Sequence, residues 1–501
     1  YIRMDNIMSI PEEIKAVSRP RGTVIKEAFG RYLVIKRTSR RVPGKKTPRT
    51  VDLGTIGEIK DGVYVEIREV PRKVAEKRSI NIKTYGTVAA CHKVGQSLLQ
   101  DLKETFPSPD AEKLYAIALL RTCEPDIKNR DIKAAYETSY LSEMLPNIAL
   151  SENTICTFLR ETGLEYVNMH QFLKKRAEKF KGKKQVIDGT LKDNNSSENA
   201  FSEFSRKGRV KGSRDLSVIY SYDTETKEPV LVKTYAGNML DTRAVKDFVT
   251  TFSVKEGILV MDKGFYSKEN IELFKSLPAL SFILPLQRSA AKLKKHDMYR
   301  DLNERVTIEE KHLLAKKVCV DVNTYLYSFR DPEIAGEEEV IYLKKREDFD
   351  AVEYDKDKEQ FGVISFETNQ NLSPEEVYTA YASRWEIETM FKMFKEILDL
   401  DTENVHSDFS VMTSEFINYL SVILGQRLKK LFRETVLKSK KNRKGEVVST
   451  SSISDNYSFR QSMKYLSKIN MIRLDNKNWM VNFPATLKYI QELAHALCIG
   501  D

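Results

Sequence analysis

Little in this 501-residue chain suits it to cross-linking or to a membrane. Its five cysteines, Cys91, Cys123, Cys156, Cys319 and Cys498, are scattered, odd in number and without a C-x-x-C pair. That spacing excludes a disulfide framework and predicts reduced thiols in a cytosolic protein. It offers no structural zinc site either, because the adjacent pair Cys91-His92 has no second set of ligands. No apolar run approaches the ~20 residues of a membrane span, and the N-terminus lacks the apolar core of a signal peptide. The chain opens Tyr1-Ile2-Arg3 without a methionine, as a piece missing its first residues would. There is no internal repeat.

What is present is length and positive charge. A chain of this size should hold more than one domain, each able to bury a core. Lys and Arg number 82 against 72 Asp and Glu, a formal charge of +10. The pI is near 9.0. The excess points to a polyanion, most simply nucleic acid, although ordinary basic proteins share an excess this modest.

Hydrophobic patterning divides the chain. Residues 24–70 alternate apolar with polar or basic residues, with turns at Gly30, Pro43-Gly44 and Asp61-Gly62, and predict a small β-unit within 1–90. Arg31, Lys36, Arg37, Arg40, Arg41, Lys45, Lys46 and Arg49 crowd it, as a DNA-facing hairpin or as charges guarding sheet edges. Residues 91–180 read as helices. The run LSENTICTFLRETG from a Ser151 cap is a candidate recognition helix or a packing helix. Residues 181–435 predict an α/β domain whose elements run strand, strand, strand, helix, strand, helix, with a β-rich insertion at about 288–368 that includes EEVIYLKK as a strand. Residues 436–501 predict a mobile Lys/Ser-rich loop and a helical tail.

The densest chemistry lies in SPEEVYTAYASRWEIETMFKMFKEIL, residues 373–398. Ser373, Pro374 and Glu376 form a helix start with a capping box. On one continuous helix, Tyr381, Arg384, Glu388 and Lys395 share an arc of roughly 60°, while Ile387, Met390, Phe391, Phe394, Ile397 and Leu398 form a core face. A carboxylate flanked by cations on a rigid face suits phosphodiester chemistry, whereas a solvated face with i,i+4 pairs is the plainer reading.

Two aspartates join it. Asp188 is expected to end the apolar strand QVID before a Gly189-Thr190 turn, and Asp262 to end ILVMD before Lys263-Gly264-Phe265-Tyr266. Carboxylates at a sheet rim plus Glu388 make three hard oxygen donors, suited to two Mg²⁺ ions with open positions for water and phosphate. The alternative is that each aspartate starts a turn. The run from Arg206 through Lys207, Arg209 and Lys211 is a candidate backbone-binding ribbon or a solvated loop. Trp385 could stack on an unpaired base or fill the core.

The spacing Tyr381-x2-Arg384-x3-Glu388-x6-Lys395 resembles the YREK signature of bacterial insertion-sequence transposases. With it stand the DGT strand, Ser196-Ser197-Glu198-Asn199, Tyr235-x-Gly237-Asn238-x-x-Asp241, MDKGFY and SPEE, which resemble the insertion-sequence-four superfamily most firmly over 183–435. The resemblance implies a ribonuclease-H-like mixed-sheet catalytic domain and a catalytic, metal-binding triad of Asp188, Asp262 and Glu388. It implies two Mg²⁺ ions, with Mn²⁺ able to substitute, and DNA-phosphate contacts from Tyr381, Arg384 and Lys395. It further implies a partner DNA with terminal inverted repeats, a target DNA, a homodimer or higher oligomer, and a prokaryotic cytoplasmic setting on the nucleoid. The reaction implied is strand cleavage at each element end and strand transfer. A related nuclease that does not join strands, and a non-catalytic DNA-binding descendant, are the alternatives.

Overall fold

The computed structural model describes residues 10–41, 47–67, 79–205, 212–345, 349–441, 447–475, 477–484 and 487–499. The chain falls into two compact units, Tyr1–Arg78 and Ser79–Asp501.

The first unit has a short helix, α1 (Glu12–Lys15), and an antiparallel sheet in chain order, β1 (Thr23–Ala28), β2 (Arg31–Arg40), β3 (Arg49–Lys60) and β4 (Val63–Glu66). Phe29-Gly30 and Asp61-Gly62 all have positive φ, the geometry a tight two-residue hairpin needs. Ile25, Val34 and Ile59 form its small core. Part of its basic charge is already paired: Asp52 holds both Arg37, at 2.6 Å, and Lys26, at 2.7 Å.

The second unit opens with β5 (Ile80–Thr84) and helices α2 (Gly86–Lys103), α3 (Ser108–Cys123), α4 (Ile132–Thr138), α5 (Leu141–Met144), α6 (Glu152–Leu164) and α7 (Tyr166–Lys179). Then come β6 (Lys184–Asn194), β7 (Glu203–Phe204), β8 (Arg214–Asp223), β9 (Glu228–Ala236), α8 (Asp241–Thr251), β10 (Glu256–Met261), α9 (Lys268–Lys275) and β11 (Ala279–Leu286). Helix α10 (Ala291–Lys295) leads into β12 (Glu304–Ile308), β13 (Lys311–Asp321), β14 (Thr324–Arg330), α11 (Pro332–Lys345), α12 (Ala351–Asp357) and β15 (Val363–Thr368). After these run α13 (Pro374–Ala382), α14 (Trp385–Lys392), β16 (Thr402–Glu403) and the long α15 (Asp408–Glu434). The remainder is β17 (Val436–Lys441), β18 (Val447–Ser452), α16 (Ile453–Asn456), α17 (Phe459–Leu466), β19 (Asn470–Leu474), β20 (Met480–Asn482) and α18 (Lys488–Ala496).

One mixed sheet organises this unit. Its centre runs β9-β8-β6-β10-β11, with β8 antiparallel and β10 parallel to β6. Strands β15, β14, β13 and β12 extend the same sheet beyond β11. The core is continuous from the sheet into the preceding helices, of which α2, α3 and α6 pack on α15. Helix α6 turns Ile155, Phe158, Leu159 and Gly163 inward. A Cβ on Gly163 would come within 2.1 Å of the Phe409 carbonyl oxygen, so only glycine admits α15 this closely. Among the described residues, no helix is long and apolar enough to cross a membrane.

Three expectations are corrected here. EEVIYLKK is helical, as the last part of α11: the Asp331 carboxylate accepts from the Glu333 amide at 3.0 Å, and Pro332 suits the first turn. The insertion is therefore part helix, and its strands extend the central sheet. The Lys/Ser-rich segment forms a β17–β18 hairpin over its described residues rather than a loop. Asp188 does not end its strand, because antiparallel pairing with β8 continues from Gln185 to Asp193 and carries β6 past Gly189 without a turn.

Candidate active site

Strand register brings the two aspartates together. Met261 of β10 lies beside Ile187 of β6 in parallel pairing. Asp262 and Asp188 are the next residues on these neighbouring strands. β10 ends at Met261, and Asp262 leads into a short 3₁₀ turn, Lys263–Phe265. The Gly189 amide donates to Asp188 Oδ1 at 2.8 Å.

The expected single helix from Ser373 to Leu398 is three segments. The capping box forms as predicted: Ser373 Oγ accepts from the Glu376 amide at 3.2 Å, and Glu376 accepts from the Ser373 amide at 2.7 Å. Helix α13 ends at Ala382 because Ser383 Oγ donates to the Ala380 carbonyl at 2.6 Å, competing with the backbone ladder. The Glu386 and Ile387 amides then bond three residues back, to Ser383 and Arg384, tightening the turn. After α14, Met393–Ile397 widens into a π turn. The apolar face survives these changes. Ile387, Met390, Met393, Phe394 and Leu398 are fully buried, and Phe391 and Ile397 are partly so.

The polar face is rearranged. Arg384 reaches two carboxylates, with Nη1 3.4 Å from Asp188 Oδ2 and Nη2 2.7 Å from Glu388 Oε1. Its guanidinium also lies over the Tyr381 ring, 5.6 Å from the centroid. Its buried Nε makes no hydrogen bond. Lys395, in the π turn, donates to the Leu191 carbonyl at 2.7 Å and pairs with Asp401 at 3.1 Å. Glu388, Phe391, Lys392, Lys395, Glu396 and Asp401 line an open cleft of about 300 Å³. Tyr381 packs on Phe366, and burial pushes its phenol up. Trp385 is 61% exposed, which removes the core reading. Arg206, Lys207, Arg209 and Lys211 lie outside the described residues.

Electrostatics tie the carboxylates together. Burial pushes the Asp188 carboxyl up to about 6. The Gly189 amide and Arg384 oppose that rise, and the charges of Asp262 and Glu388 add to it. The three are within electrostatic reach of one another, and all are hard oxygen donors of the kind a divalent cation takes. Their arrangement nevertheless does not fit a metal: among the described residues, no three His, Cys, Asp or Glu side chains are grouped so as to hold one. Arg384 stands between Asp188 and Glu388 instead.

Residues 180–414 match the family model of the transposase DDE domain. The matched segment contains Asp188, Asp262 and Glu388, and the match supports a transposase. No curated protein sequence matches the chain. Among solved structures, the chain is similar to the piggyBac transposase synaptic complex with hairpin DNA, at a TM-score of 0.40 and 12% identity, over 76% of this chain and 77% of that one. That likeness is distant, and no residue role is taken from it.

Two features of the DDE-type segment were not legible as such. Ser196 and Asn199 of the SSEN motif join the end of β6 to the loop before α15: Ser196 Oγ contacts His406 Nδ1 at 3.0 Å, and Asn199 donates to the Val405 carbonyl at 3.1 Å. Four residues beyond Asp188, on the same face of β6, Lys192 is buried between Glu415 and Glu403. Arg121 of α3 joins that cluster through Asn418, at 2.7 Å, and Asn418 donates to Glu415 at 3.0 Å. The signal available was the alternation of Asp188, Thr190, Lys192 and Asn194, which puts a lysine on an inward face.

Proposed function

We propose that the chain is an insertion-sequence transposase that cleaves DNA strands at the element's terminal inverted repeats and transfers the freed 3′ ends to target DNA. The observation that carries the reading is that Asp188 and Asp262 directly follow Ile187 and Met261, which pair on adjacent parallel strands, with Glu388 joined to Asp188 through Arg384. The sheet order β9-β8-β6-β10-β11 supports a ribonuclease-H-like reading of the catalytic body. On this reading Asp188, Asp262 and Glu388 are the candidate ligands of a divalent cation, Mg²⁺ with Mn²⁺ as substitute. Arg384, Lys395 and Tyr381 neutralise or hydrogen-bond backbone phosphates, contacts that position DNA without reading sequence. Trp385, exposed beside Arg384, is the candidate stacking platform for an unpaired base. Recognition of the repeats is assigned to the basic β-unit and the helices before β6, and the active assembly to a homodimer or higher oligomer.

The test uses the DNA that flanks the gene. Asp188→Asn keeps size and removes charge. It should abolish cleavage of a duplex carrying the element ends while sparing its binding, which rests on distributed Lys and Arg contacts. Full cleavage by this variant in Mg²⁺ would sink the reading.

A further inference from the structure

Positive charge gathers on the far side of α14 from the carboxylates. At about 100° per residue, the residues around the unburied side of this helix run Glu388, Lys392, Trp385, Thr389 and Glu386. Lys392 and Trp385 are exposed, with the ammonium over the indole at 5.4 Å from the ring centroid. At the far end of the arc, Glu386 accepts from Lys227 of the β8–β9 turn at 2.9 Å.

Beyond Glu386 the cations outnumber their partners. Lys429 and Arg433 stand four residues apart near the end of α15, and among the described residues neither makes an ion pair. Burial, and then the charge of Arg433, push the half-buried Lys429 ammonium down; Glu386 opposes the fall and Lys227 adds to it. A cation held there gains from an anion that the protein does not supply. Past the end of α15, β17 (VLKSKK) carries three lysines and no acid, and Lys438 among them is exposed. Its antiparallel partner β18 (VVSTSS) carries no charge. Cations in a last helical turn can serve the helix dipole alone. That accounts for Arg433, but not for Lys227 on a separate turn or for the lysines of β17. Charges strung over a turn, a helix end and a strand suit the repeated phosphates of a polyanion better than one small anion.

We infer that the end of α15, with Lys227 and β17, binds the phosphate backbone of duplex DNA that leaves the candidate active site across α14. This rests on the transposase reading, and it gives the surface sequence-independent affinity rather than recognition of the repeats.

Binding of a fluorescein-labelled duplex of arbitrary sequence to the full chain is followed by anisotropy over a series of salt concentrations. Lys429→Gln with Arg433→Gln should weaken binding on the order of tenfold and reduce the slope of log Kd against log salt by about 2. Lys311→Gln with Lys358→Gln removes the same charge from the insertion and should leave affinity and slope nearly as they are. Arg433→Gln with Lys438→Gln, both at exposed positions, should repeat the effect and serves if the Lys429 variant is misfolded by circular dichroism. Unchanged affinity and slope in the folded test variants, or an equal loss in the insertion variant, overturns the inference. So does reduced self-association in sedimentation with duplex binding intact, which would make the surface a seat for an acidic face of a second copy. In each of these cases the transposase reading survives, provided that the wild type cleaves element ends and Asp188→Asn does not. A wild type that binds no duplex at any salt concentration sinks both.

Discussion

Two bridges of the same kind, one cation between two carboxylates, involve residues on one face of β6. At Asp188, Arg384 links two carboxylates whose side chains keep 18% and 30% of their surface. At Lys192, four residues on, a lysine links Glu415 and Glu403, and all three side chains are at most 5% exposed. Burial decides what the bridge can do. The outer one keeps part of each side chain in contact with water, so losing a member strands less charge. The inner one cannot lose a member without leaving a charge in the core, so it fixes β6 against α15, β16 and, through Lys192 over the Phe394 ring, the π turn that follows α14.

Breaking the inner bridge should have the largest effect. Lys192→Met leaves Glu415 and Glu403 short of their counter-charge and should cost roughly 3–5 kcal/mol in urea unfolding. Lys192→Met with Glu415→Leu should recover part of that, since it removes one of the two stranded carboxylates and leaves Glu403 to the charge of Arg121. If the single variant matches the wild type, the inner bridge is no lock.

Next in size is the pH dependence of the outer bridge. Burial raises the Asp188 carboxyl to about 6 in the fold, against its ordinary value of 3.8. Its favourable contribution is complete below about pH 3.8 and is lost as pH rises through 6. Asp188→Asn escapes that loss. The variant should gain stability over the wild type across this window, by on the order of 2–3 kcal/mol. Urea unfolding at a series of pH values measures it, and a difference that stays flat from pH 4 to about 7 would contradict the burial argument. The same proton competes with metal, so Mn²⁺ affinity of the wild type should fall as pH drops below about 6.

The smallest effect is expected at Arg384. Arg384→Gln should lower the unfolding free energy by less than Lys192→Met does, because this bridge keeps more of its surface in water. A loss comparable to that of Lys192→Met would mean that both bridges are structural and that the comparison fails.

How much of this was readable varies with the range of the interaction involved. The capping box at Ser373, the Ser151 cap of α6 and the apolar faces were legible because their causes lie within a few residues. Both aspartates beside apolar strand residues were legible for the same reason. The continuation of β6 was not, because it depends on pairing with β8, some thirty residues downstream of Asp188. The break at Ser383 follows from a serine hydroxyl choosing a carbonyl, which periodicity does not report. The engagement of Lys395 with Leu191 and Asp401, and of Arg384 with Asp188, is tertiary. A helical wheel drawn on one straight helix could display all four signature residues on one arc, yet it could not say that two of them face protein.

The pairing of β5 with β19 has a consequence for synthesis. Asn470 sits opposite Thr84 and Leu474 opposite Ile80, and the Ser79 amide donates to Asp475 at 2.8 Å. The two strands of this ladder are roughly 390 residues apart in the chain. At ribosomal rates of about 5–20 residues per second, β5 waits on the order of 20–80 s for its partner. The helices that follow it can collapse in the meantime, but the strand ahead of them stays open until β19 has been made. A ribosome that stops before β19 thus releases a chain in which the β5 edge is bare, a feature that sets an interrupted chain apart from one that has made β19.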